Sequence, residues 1–175
     1  YLAESVAQVD RLAAMVNDIL RSGSVAEQAL RQEKRLRIDK LLAEVVDDYT
    51  LLAKTRGMTF TVDVRPTTIR ANRDMMRHVI SNLVSNAVRH GDAGSVIVIT
   101  CDQHELAIEN ACKPLTKQQL QHIFDPFYRS NDATKQHVNS SGIGLYTVKM
   151  LLDAKGLDYE FASHGRGMRF VVRFT

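Results

Sequence analysis

A chain of 175 residues with 45% hydrophobic and 25% charged residues has the composition of one folded domain, which excludes intrinsic disorder. Its net charge of +3 singles out no anionic partner, so no nucleic-acid partner is expected, and no apolar run reaches the roughly 18 residues of a membrane span. Cys101 and Cys112 have neither a metal-ligand spacing nor a disulfide framework, and read as small apolar residues of a reducing cytosol.

Residues 1–20 place Leu2, Val6, Val9, Leu12, Ala13, Val16, Ile19 and Leu20 at helical spacing, which predicts one amphipathic helix with a narrow apolar seam. Residues 21–37 are polar and Arg-rich, contain Gly23, and read as a linker or a frayed helix end. Asp39 is placed to cap a helix running to about Arg56, which Gly57 ends. Strands are expected at 58–64 and 67–71, with Pro66 in the turn between them. Asn72 then caps a long helix to about His90. The β-branched run Ser95–Cys101 reads as a buried strand, and 104–109 returns as its hairpin partner. A looser stretch follows from 110 to 141, with a helical piece near 117–123. A helix at 142–154 and strands at 157–163 and 168–174 complete the chain.

This order predicts an α/β sandwich, a mixed and mostly antiparallel sheet with helices on one face, preceded by one amphipathic helix. The expected division is 1–22 for that helix, 23–35 for a linker and 36–175 for the main domain. Tyr1 implies further sequence upstream.

The helix 72–90 carries the most informative pattern. Met76, Val79, Ile80, Leu83 and Ala87 share one apolar face, and Asn82 and Asn86 stack within roughly 40° of each other beside it. Arg89 and His90 continue the polar stripe. Two readings stand at this point. Either the asparagines face solvent or neighbouring loops, or their amide oxygens ligate a hard cation such as Mg²⁺ while Arg89 meets phosphate. A second feature is Ser140-Ser141-Gly142-Ile143-Gly144-Leu145, directly before a helix. Glycines there let backbone N–H groups approach a phosphate, whose charge the positive end of the helix dipole favours. Gly165-Arg166-Gly167 reads equally well as a hairpin turn.

Taken together, the motifs resemble those of sensor histidine kinases. Asn82-Leu83-Val84-Ser85-Asn86-Ala87-Val88-Arg89-His90 resembles the asparagine box, and Phe124-Asp125-Pro126-Phe127-Tyr128-Arg129 the phenylalanine box. Ser141-Gly142-Ile143-Gly144-Leu145-Tyr146-Thr147-Val148-Lys149 resembles the second glycine box, and Gly167 stands where a further Gly-Thr pair is usual. The opening helix is similar to the second helix of the family's dimerisation hairpin, at Glu4, Val9-Asp10-Arg11-Leu12 and Ile19-Leu20.

The resemblance implies the Bergerat ATP-binding fold, with ATP and Mg²⁺ as cofactors. It assigns Asn86 to Mg²⁺ with Asn82 nearby, Arg89 and Arg129 to phosphates, and His90 to a place beside the nucleotide. Gly142, Ile143, Gly144 and Leu145 would line the phosphate end, and 125–141 would form a lid. It implies presentation of the γ-phosphate to a histidine outside this segment, for transfer to a response-regulator receiver domain. None of His78, His90, His104, His122, His137 and His164 stands in the family's phosphoacceptor motif, so this segment alone is not expected to phosphorylate itself, and, because half of a four-helix interface cannot close, it is expected to be mostly monomeric. The parent would be a homodimer, and this segment the cytoplasmic part of a membrane-anchored bacterial kinase.

One motif departs from the pattern. The family's first glycine box, Asp-x-Gly-x-Gly, is here Asn110-Ala111-Cys112-Lys113-Pro114. Asn110 keeps an acceptor oxygen for the adenine amino group, but both glycines are gone and Pro114 removes an N–H. A degenerate nucleotide-binding module is therefore a second reading. A gyrase- or chaperone-type ATPase, or a serine kinase acting on an anti-anti-sigma partner, would need an acid where Asn82 stands.

Overall fold

The computed structural model describes residues 33–128 and 142–174. The helix expected over 1–20, the linker up to residue 32, Arg129 and the serine pair at 140–141 lie outside the described residues.

The strands are β1 (Lys34–Arg37), β2 (Thr59–Val64), β3 (Thr68–Ala71), β4 (Val96–Cys101), β5 (Glu105–Ala111), β6 (Tyr159–His164) and β7 (Gly167–Arg173). The helices are α1 (Ile38–Thr55), α2 (Arg73–His90), α3 (Lys117–His122) and α4 (Gly144–Lys155). Five strands form one sheet in the order β2-β4-β5-β7-β6, and β1 pairs with β3 in a separate two-stranded ribbon. Only β2 and β4 run parallel; every other pairing is antiparallel. The expected mixed, mostly antiparallel sheet is found.

Period-two alternation fixes the register, because a one-residue slip would turn the apolar set away from the core. Ile99 pairs with Ile108 and Cys101 with Leu106, while Ile108 and Leu106 pair in turn with Phe170 and Val172. These buried side chains share one face. Leu41, Leu42 and Val45 of α1, Met76, Val79, Ile80 and Leu83 of α2, and Val148, Leu151 and Leu152 of α4 cover it in a single core. The opposite face carries ion pairs between strands, Arg169 to Glu105 at 2.9 Å and Arg173 to Glu160 at 2.8 Å. Helices thus lie on one side only.

Asn72 caps α2 as expected, its side-chain oxygen accepting from Asp74 N at 2.9 Å and Met75 N at 3.0 Å. Asp39 does not cap α1. The helix starts two residues earlier, at Ile38 with Arg37 as its N-cap, and Asp39 sits in the first turn. There it accepts two bonds from the Arg37 guanidinium, at 2.8 and 2.6 Å, and one from Thr67 N at 3.2 Å. The strand β1 falls in the run read as linker; its four residues pair with β3 from Lys34↔Ala71 to Arg37↔Thr68.

Candidate functional site

The site lies where α2, the start of α4 and the end of β5 meet. Asn82 and Asn86 are both half-buried on α2, beside the core stripe of Val79, Leu83 and Ala87. Gly144 opens α4 directly against Asn82. A Cβ at Gly144 would stand 3.2 Å from Asn82 Oδ1, so any larger residue would press on that carboxamide. The absence of a side chain at 144 is what lets the helix start and the amide approach each other.

The N-cap of α4 is Ile143, which makes no side-chain capping hydrogen bond and whose own side chain is in the core at 1% exposure. The first backbone N–H groups of a helix have no intrahelical partner, and this end has the positive pole of the helix dipole. Ile143 can thus face a ligand only through its backbone, whereas Leu145 is half-buried against the core. Gly142 has φ +71 and packs against the backbone of Phe127, which has φ 65 itself. A Cβ at Gly142 would come 3.0 Å from the Phe127 carbonyl carbon, and Phe127 N donates to Gly142 O at 3.1 Å. The two ends of the segment 129–141 are joined at this contact.

The phenylalanine motif divides into two roles. Phe124 meets Tyr159 edge-on at 5.5 Å and Phe170 at 6.2 Å, within the aromatic end of the core. Phe127, by contrast, is 49% exposed. Nothing in the sequence separated the two; their different packing does.

At the far end of α2, Arg89 is exposed and its Nε donates to Ser85 Oγ at 3.1 Å, with His90 exposed beside it. Arg56 reaches across from α1 and donates to the carbonyls of Val88 and Arg89, which anchors this terminus. The last turn of α2 abuts the end of β5: Asp92 N donates to Ala111 O at 2.8 Å. Asn110 is half-buried on the helix side of the sheet, paired across the strands with Ile97 and Met168. A single helix therefore runs from Asn82, against the start of α4, to His90 beside the end of β5, eight residues or roughly 12 Å along its axis.

The sequence reading overlooked Gly167 as a packing element. A Cβ there would sit 2.0 Å from Asn110 O and 2.9 Å from Ala111 Cα, so β7 can lie against the end of β5 only with glycine at this position. Of the residues singled out in the sequence, Arg129 lies outside the described residues; Gly144 stands against Asn82 midway along α2, and Arg89 and His90 lie at the end of that helix, where Asp92 N meets Ala111 O beside Asn110. Neutral amide oxygens beside a helix start are donors of the kind that suit a magnesium–triphosphate. Among the described residues no group of three His, Cys, Asp or Glu side chains could hold a metal without such a ligand. No helix among them is long and apolar enough to cross a membrane.

The profile of the family described as "Histidine kinase-, DNA gyrase B-, and HSP90-like ATPase" matches residues 71–175. The sensor histidine protein kinase HK06 of Streptococcus pneumoniae serotype 2 is 31% identical over 173 residues, which cover 98% of this chain and 39% of that protein. The sensor histidine kinase CusS of Escherichia coli K12 is 31% identical over 176 residues, covering 98% and 37%. This chain thus spans less than two-fifths of these relatives. Among solved structures, the Acinetobacter baumannii histidine kinase AdeS superposes with a TM-score of 0.75 at 19% identity, over 99% of this chain and 83% of that one. Full-length ShkA in complex with AMPPNP gives 0.76 at 23%, over 94% and 36%.

Proposed function

This chain belongs to the histidine kinase-, DNA gyrase B-, and HSP90-like ATPase family as an ATP-binding domain of the sensor histidine kinase type, and from that premise we propose that it holds Mg-ATP between α2 and α4 and presents the γ-phosphate to a histidine outside the described residues. In this reading the Asn86 and Asn82 carboxamides hold Mg²⁺ together with the phosphates. The backbone at Gly142, Ile143, Gly144 and Leu145 meets the triphosphate, Arg89 and Arg129 balance its charge, His90 lies beside the nucleotide, and Asn110 accepts from the adenine amino group. Mg²⁺ would neutralise charge on the transferring phosphoryl group, and the protein would contribute mainly positioning. The parent protein would be a membrane-anchored homodimer that passes phosphate to a response-regulator receiver domain.

The observation that supports this reading most strongly is the approach of Gly144 to the Asn82 carboxamide, which brings the start of α4 to this side chain. An amide cannot take a proton from water at neutral pH, so the site is suited to keep ATP for another acceptor and not to hydrolyse it. The loop Ala111-Cys112-Lys113-Pro114, with no glycine, favours the degenerate module as the second reading. Calorimetric titration with a Mg-ATP analogue separates the two. Saturable heat at micromolar to millimolar ligand is expected, and no heat at millimolar ligand would favour the degenerate module.

A further inference from the structure

Phe127 holds a backbone conformation that its own side chain disfavours. Its φ of 65° lies in the left-handed region, and among the described residues it is the one there that is not glycine. Such a conformation persists only where the surroundings impose it. Two backbone bonds do part of this: Phe127 N donates to Gly142 O at 3.1 Å, and Tyr128 N donates to Asp125 O at 3.2 Å. The first of these ties the turn to the residue that leads into α4. The other end of the turn is Phe124, whose ring is seated on that of Tyr159.

Tyr159, the first residue of β6, is held from two sides. Its ring lies nearly parallel to that of Phe170, with centroids 6.1 Å and planes 8° apart, and Phe124 meets it edge-on at 5.5 Å. Its hydroxyl donates to Asp153 Oδ1 at 2.9 Å and accepts from Lys149 Nζ at 3.2 Å. Lys149 and Asp153 stand one turn apart on α4 and pair with each other at 2.6 Å. An apolar side chain in this place could seat Phe124 but could not hold α4 through these two groups. One residue thus grips both the turn that carries Phe127 and the helix that Gly142 leads into. The path is closed: from α4 through Tyr159, Phe124 and Phe127 to Gly142, and back into α4.

We propose that Tyr159 is a positioning residue for the phosphate end of the site: it holds the Phe124–Tyr128 turn against α4, and so fixes where the backbone at Gly142 and Gly144 meets the last phosphate. The proposal rests on the nucleotide-binding reading above. Tyr159 acts through Phe124 and α4 and not by contact with the ligand. Its effect should fall on the phosphate that this backbone meets, and should spare the parts of the nucleotide received toward the far end of α2.

The test is calorimetric titration of the whole chain with Mg-AMPPNP and Mg-ADP, which differ in the last phosphate. Tyr159→Leu, which removes both ring and hydroxyl, should weaken Mg-AMPPNP about tenfold and Mg-ADP by less than about threefold. Phe124→Leu should do the same, and the double variant should be no worse than the more damaging single, because both break one path. Phe161→Leu is the packing control. Phe161 lies 5.7 Å from Phe170 in the same aromatic cluster, and its loss should cost stability but leave the ratio of the two affinities unmoved. Should Tyr159→Leu fail to fold, Tyr159→Phe, which keeps the ring and loses the two bonds to α4, should still lower the ratio about threefold. Equal weakening of both nucleotides, or of neither, in the Tyr159 variants overturns the proposal while leaving nucleotide binding intact. A ratio that falls as far in Phe161→Leu also overturns it, since loosening the cluster would then suffice. Fully additive losses in the double variant overturn it as well. Absence of binding of either nucleotide to wild type overturns the nucleotide-binding reading itself, and the proposal with it.

Discussion

Single atoms decide the two ends of the cleft. Asn86 lies one helical turn beyond Asn82 on α2, half-buried and beside, not within, the apolar stripe. Removing its carboxamide takes away the proposed ligand oxygen without opening a core cavity. Asn86→Ala should therefore weaken Mg-nucleotide binding by about tenfold or more, while the unliganded melting temperature stays within about 2 °C. Calorimetry paired with thermal melting checks both halves, and a large loss of unliganded stability would place Asn86 in the packing instead. Gly167 gives the opposite signature. A methyl group there meets Asn110 O at 2.0 Å, backbone against backbone, and neither strand can yield without breaking the β5–β7 ladder. Gly167→Ala should cost about 1–3 kcal/mol or more, measured by urea denaturation, and should weaken nucleotide binding through the displaced Asn110.

At the level of elements, the sequence was most legible where one local rule governs. Asn72 before an apolar-periodic run announced α2, and the β-branched run at 96–101 announced its strand. The start of α1 was misread because Asp39 satisfies the N-cap rule in isolation, while the fold uses it to tie α1 to the strand entry at Thr67. The strand β1 was invisible for a related reason: Lys-Arg-Leu-Arg has one buried position, Leu36, and only a distant partner, Ile69, reveals its register. The asparagine and glycine motifs could be read in advance, but the close approach of Gly167 to Asn110 depends on the pairing of β7 with β5 and could not. Asp39 also carries a pH signature. The Arg37 guanidinium bonded to it holds its carboxyl at about 2, below the ordinary 3.8. The unfolded chain therefore takes up this proton first, so the stabilisation is complete above about pH 4 and is lost as pH falls through 2. Asp39→Asn should melt below wild type at pH 7, and the gap should close between about pH 4 and pH 2. A gap that persists at pH 2 would assign the loss to something other than this ionised pair.

For the molecule as a whole, the proposed Mg-nucleotide site would couple stability to ligation through the groups that hold the metal. Mg²⁺ needs near-octahedral oxygen ligation and sheds water reluctantly, so sites with few protein oxygens depend on substrate phosphates. The described residues contain no cluster of acidic, histidine or cysteine side chains for a metal, and the cleft contributes neutral carboxamides. The metal and the nucleotide should therefore bind together or scarcely at all. Millimolar Mg²⁺ alone is expected to leave the melting temperature unchanged. A Mg-ATP analogue at about a hundred times its dissociation constant should contribute about 2.7 kcal/mol, a rise on the order of 5–10 °C. The same coupling predicts what happens next to the nucleotide. With an amide at position 82 in place of a carboxylate, bound Mg-ATP should remain intact, and phosphate release should stay near the uncatalysed background over hours. Steady turnover would show that some other group activates water, and would move this domain from the kinases toward the ATPases of its family.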